Sequence, residues 1–139
     1  MPSSQICVFD ASALVTLLIR ERGADVLSRV LDEVPVHAAS LNVAEAIHVA
    51  IRKGHRKTRD ELYEGVLGLG IIIEPVTEED VLEIAYLLDV SDNLPKQAGS
   101  LSIADATCLA VTHRLNGRAI MSDSTWEILR VGIPISPYR

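Results

Sequence analysis

The stretch "ICVFDASAL", residues 6–14, decides how the chain is read. A β-branched apolar run ends in one aspartate, Asp10, and turns at once into a second apolar run. The first run predicts a buried strand over Ile6 to Phe9 and the second a helix from Ser12. A carboxylate at that junction either starts the helix or holds something at the end of the strand, so its meaning depends on whether other acids are placed alike.

The remaining chain repeats the alternation. A helix is expected near Asp25 to Asp32 and a short extended piece over Val36 to Ala39. Val43, Ala46, Ile47, Ala50 and Ile51 follow helical spacing, with Gly54 as a stop. A helix near Arg59 to Leu69 leads to the strand "IIIEPV", Ile71 to Val76; Thr77 then caps a helix with Val81, Ile84, Ala85 and Leu88 on one face. "SDNLPKQAGS", Ser91 to Ser100, reads as a loop. The helix Ser102 to Leu115, stopped by Asn116 and Gly117, precedes a strand at Ala119 to Ser122 and an extended tail at Ile133 to Ser136. Strands interleaved with helices predict a parallel sheet covered on both faces, an α/β fold whose ligands gather at the carboxyl ends of the strands.

Composition bounds the rest. A chain of 139 residues, 48% hydrophobic and 23% charged, predicts one globular domain over 1–139, burying roughly 70% of its unfolded surface. Cys7 and Cys108 lie in apolar segments without ligand spacing, which reads as reduced, buried thiols and a cytoplasmic setting. No apolar run is long enough for a membrane span, and residues 1–5 lack the pattern of a signal peptide. The net charge of −6 conceals a local exception. "RKGHRKTR" holds Arg52, Lys53, Arg56, Lys57 and Arg59 and no acid, leaving eight basic against nineteen acidic residues elsewhere. Such a stretch can hold a phosphate backbone locally, or it can be a solvated helix end and turn.

Four acids carry the functional reading. Asp10 and Asp123 each end an expected strand, whereas Glu45 and Asp105 fall in the first turns of expected helices among apolar residues. Acids are seldom buried without a partner. Four converging carboxylates require a cation, and an oxygen-only set suits Mg²⁺ or Mn²⁺. Capping is the alternative: Asn42 with Glu45, and Ser102 with Asp105, have the spacing of a capping box, and Asp10 has the place of an N-cap. Asp123 is harder to explain so, because Ser124 and Glu127 form their own box one residue later.

"VFDASAL", "NVAEAIHVA", "LSIADATCLAV" and "MSDSTW" resemble, in order and spacing, the acidic motifs of PIN-domain ribonucleases, especially VapC-type toxins of toxin-antitoxin modules. The resemblance implies a three-layer α/β/α fold around a parallel sheet of four or five strands. It also implies an acidic site of Asp10, Glu45, Asp105 and Asp123 with Ser12 as a supporting hydroxyl. The implied activity is endonucleolytic hydrolysis of RNA with one or two Mg²⁺ or Mn²⁺ ions, leaving 3′-hydroxyl and 5′-phosphate ends; the implied partners are a cognate antitoxin and a second copy of the chain. Met121 departs from the pattern, standing where relatives often carry Thr; Ser122 is the neighbouring substitute.

Other groups carry less. His48 follows Glu45 at E-x-x-H spacing, but a di-iron bundle needs a second such pair. His37, His55 and His113 have no mutual ligand spacing. Trp126 suits either core packing or stacking on a base. A haloacid-dehalogenase-like phosphatase would need an acid where Ser12 stands, and a receiver domain an acid pair near the first strand. The rival from another class is a non-catalytic interaction module whose acids cap helices and bind a basic protein.

Overall fold

A computed structural model describes residues 5–94, 100–122 and 132–138. Five strands, β1 (Cys7–Phe9), β2 (Val36–Ala39), β3 (Ile72–Glu74), β4 (Arg118–Met121) and β5 (Ile135–Pro137), form one sheet in the order β3-β2-β1-β4-β5. Every pairing is parallel, with Cys7 level with both Val36 and Arg118. The period-two alternation of a strand then sorts side chains to two faces. Cys7, Phe9, Val36, Ala38 and Ile120 enter one core with the helices α1 (Ala11–Ile19), α2 (Ala24–Glu33), α3 (Ser40–Arg52) and α4 (Arg59–Gly68). Val8, Ala39, Ala119, Met121 and Ile135 enter the other, under α5 (Glu78–Asp92) and α6 (Ile103–Arg114). This is the expected three-layer α/β/α architecture with a five-stranded parallel sheet.

The helix starts show where local sequence decided structure. Asp10 caps α1, accepting from the Ala13 amide at 2.8 Å. Thr58 with Glu61 and Thr77 with Asp80 make complete capping boxes at α4 and α5, and Ser102 caps α6 by accepting from the Asp105 amide at 3.0 Å. The capping box expected of Asn42 and Glu45 does not form. Helix α3 starts earlier, after Ala39, so Asn42 is already inside it and fully buried. Its side-chain amide instead donates to the Ala104 carbonyl at 2.9 Å and ties α3 to the first turn of α6.

Two smaller expectations shift. The buried positions of α5 are Asp80, Leu87 and Ser91; of the expected face Ile84 and Leu88 are partly buried against the core, whereas Val81 is 57% exposed, and Asp80 turns inward to Arg114, which bonds it at 3.0 Å. The loop expected from Ser91 starts later, because Ser91 is still helical and its hydroxyl accepts from the Leu101 amide at 3.1 Å. Gly117 ends the turn after α6 where a Cβ would stand 2.7 Å from the Ile6 carbonyl oxygen, so only glycine lets β4 approach β1 there.

Candidate active site

A parallel sheet exposes the carboxyl ends of all its strands along one edge, and the central strand β1 delivers Asp10 there. Asp10 is buried, with 4% of its surface exposed. Its carboxylate is held from both sides: Ser12 Oγ lies 2.7 and 2.8 Å from the two oxygens, and the Ala13 amide donates to Oδ1. Ser12 in turn accepts from the Ser122 amide at 3.3 Å, which joins the start of α1 to the end of β4. Ser12 therefore bridges the Asp10 carboxylate and the end of β4. The Ser122 contribution comes from its backbone; Met121 is buried in the second core, and its thioether offers no hydroxyl.

Asp10, Glu45 and Asp105 line one cleft of about 440 Å³, together with Ser12, Ser102 and Ser122. Burial pushes the Asp10 carboxyl up to about 6; the bonds from Ser12 and Ala13 oppose this, and the charges of Asp105 and Glu45 add to it. Glu45, on the exposed side of α3, is also raised, by partial burial and by Asp105. Asp10 is raised in part by the charges of both other acids, and Glu45 by that of Asp105, so the cleft concentrates negative charge. Among the described residues no three Asp, Glu, His or Cys side chains converge closely enough to hold a cation unaided. Asp123, with Ser124, Glu127 and Trp126, lies outside the described residues.

The neighbouring thiol is not a rival nucleophile. Cys108 is fully buried below the acids, and desolvation with the charges of Asp10 and Asp105 holds its thiol well above the ordinary value. The histidines are dispersed. His37 pairs with Glu74 at 2.7 Å, His113 pairs with Glu83, His55 Nδ1 accepts from the Lys57 amide, and His48 is exposed on α3. None of the four lines the cleft.

The basic stretch divides. Arg52, in the last turn of α3, and Arg56, Lys57 and Arg59, around the turn into α4, are exposed away from the cleft lining. Lys53 lines the cleft and bonds Glu21 Oε2 at 2.9 Å. The sequence reading missed Glu21, which follows α1 and meets Lys53 across 32 residues; no local motif announces such a pair.

The PIN domain family profile matches residues 7–131, nearly the whole span from β1 past the last acid. The chain belongs to the PIN-domain family. Comparison with curated protein sequences finds no match. Solved structures share the fold of this PIN domain. VapBC2 of Rickettsia felis, bound to a DNA fragment from its promoter, superposes with a TM-score of 0.74 at 8% identity, over 95% of this chain and 98% of that one. VapC20 of Mycobacterium tuberculosis, described as a sarcin-ricin-loop-cleaving toxin, gives 0.70 at 17% identity, over 88% and 93%. VapBC-1 of nontypeable Haemophilus influenzae gives 0.70 at 14% identity, over 96% and 98%. At these identities the likeness is one of fold.

Proposed function

We propose that this PIN domain is a divalent-metal-dependent endoribonuclease acting as the toxin of a toxin-antitoxin pair. The observation that carries the reading is the convergence of Asp10, Glu45 and Asp105 on one cleft at the carboxyl edge of the sheet, with Asp10 pushed up to about 6. Membership of the family and the toxins among its structural likenesses support it.

The donor set fits a hard divalent cation, because it is all oxygen and its excess charge needs neutralising. Asp10 and Asp105 are the direct ligands in this reading, Asp123 a ligand or water positioner, and Glu45 a ligand or base. One or two Mg²⁺ or Mn²⁺ ions bound there supply acidification of water and compensation of phosphate charge. The protein's own groups do the remainder. Ser12 and the Ala13 amide fix the orientation of the Asp10 carboxylate, which lines the cleft. Glu45, exposed and of raised basicity, accepts the proton of the attacking water. Water adds to phosphorus, the bond to the 3′-oxygen breaks, and that oxygen leaves as a hydroxyl after taking a proton. The partners in this reading are a cognate antitoxin that places a basic side chain among the acids, a second copy of the chain, and RNA; the setting is the cytoplasm.

The test is cleavage of a mixed RNA pool by purified protein with Mn²⁺ or Mg²⁺ against EDTA, beside Asp10→Asn and Asp105→Asn. Metal-dependent cutting that both folded variants lose is the expected result. If no preparation cuts RNA and a basic protein partner binds wild type more tightly than the variants, the non-catalytic module takes its place.

A further inference from the structure

The cleft is acidic at one end and paired at the other. Glu45 and Val49 on α3 and Lys53, the residue that caps its carboxyl end, stand at i, i+4 and i+8 and all line it, so one stripe of the helix and its cap form a wall. Eight residues of helix span about 12 Å, which places Lys53 well beyond the acids along that wall. Among the described lining residues Lys53 is the sole cation. Its Nζ is held by Glu21, a residue whose own backbone is fixed: Arg20 turns left-handed at φ 58°, and the Glu21 amide donates to the Thr16 carbonyl at 3.0 Å. The two side chains remain 49% and 28% exposed. A pair so open to water contributes little and exchanges readily.

An RNA strand lying in this cleft carries a phosphate at every nucleotide. With the scissile phosphate at the acids, a flanking phosphate reaches the far end, where an unopposed Glu21 would repel it. We infer that Lys53 is the contact for this flanking backbone phosphate, and that Glu21 holds the ammonium in place until the phosphate displaces its carboxylate. The inference rests on the nuclease reading and sharpens it: within the basic stretch, Lys53 positions the strand in the cleft, whereas Arg52, Arg56, Lys57 and Arg59 act outside it. A phosphate contact is blind to base identity, so Lys53 sets affinity and register, and the sequence cut is chosen elsewhere.

The test is steady-state cleavage of a mixed-sequence single-stranded RNA oligonucleotide with Mn²⁺, over a range of salt concentrations. Lys53→Met raises KM about tenfold with kcat nearly held, as expected for the loss of one charged hydrogen bond. It also flattens the dependence of log affinity on log salt by about 0.7, the share of one single-strand phosphate. Glu21→Gln lowers KM by up to about fivefold, because the competing pair is gone. Lys53→Arg restores KM, which separates a charge contact from a packing role. If wild type cuts RNA while Lys53→Met leaves KM and the salt slope unchanged, the inference is overturned and the nuclease reading stands. If wild type cuts nothing under any metal, both fall together.

Discussion

At the scale of single residues, Asp10 holds two roles that the sequence left as alternatives. It caps α1 through the Ala13 amide and also faces the acidic cleft. Its two roles pull stability in different directions. The folded-state carboxyl titrates near 6, above its ordinary value of 3.8, so the folded protein holds that proton more tightly than the unfolded chain. The contribution of Asp10 to the stability of the metal-free protein is therefore greatest below pH 4, falls as the pH rises to about 6, and stays lower above it by about 3 kcal/mol. Asparagine caps a helix as well as aspartate, so Asp10→Asn removes the charge and keeps the cap. Thermal melts in EDTA at pH 7.5 are expected to show this variant several degrees more stable than wild type, with the gap closing toward pH 4. Activity is expected to move the opposite way, since the variant loses a carboxylate that the proposed chemistry needs. Ser12→Ala removes a bond that holds the Asp10 value down, so the acid limb of the pH–rate profile should move upward, and a limb that stays in place would separate Ser12 from Asp10.

At the scale of elements, legibility followed the range of the interaction. Thr77 and Ser102 were readable because a cap and its amide lie three residues apart. The start of α3 was misread for the same reason: Asn42 has the spacing of a cap, but the Ala104 carbonyl that takes its amide is 62 residues away. The α5 face shifted because Asp80 is 1% exposed and pairs with Arg114 on α6, another long-range choice. Burial alone would raise the Asp80 carboxyl; the Arg114 guanidinium and the Thr77 amide outweigh it and hold it below the ordinary value. Removing Arg114 leaves that charge buried and unopposed, so Arg114→Ala is expected to cost about 3 kcal/mol in denaturant unfolding. The stability that depressed value provides is present above pH 4 and lost as the pH falls below it. At the turn into β4, Gly117→Ala forces a Cβ against the Ile6 carbonyl and is expected to cost about 1 to 3 kcal/mol in the same measurement.

At the scale of the whole molecule, the alternation of strand and helix was enough to specify a parallel sheet, and the quoted motifs were enough to gather three of the four acids at its edge. Charge distribution was legible only in part, because the basic stretch reads as one unit along the chain and is two in space. With Lys53 set in the cleft, the exposed Arg56, Lys57 and Arg59 form a separate patch. Replacing all three by Gln should weaken RNA binding about equally across sequences and flatten its salt dependence by about two; unchanged binding would mark them as a solvated turn. The strand order carries a further consequence. Central β1 takes one neighbour from residues 36–37 and the other from residues 118–120. During synthesis the chain emerges from its amino end, so Asp10 is made about a hundred residues before the helix that carries Asp105 and the Ser122 amide that steadies Ser12. A nascent chain that has reached only β3 thus has no assembled acidic cleft, and the proposed nuclease cannot act on the message and ribosome producing it until α6 and β4 have also been made.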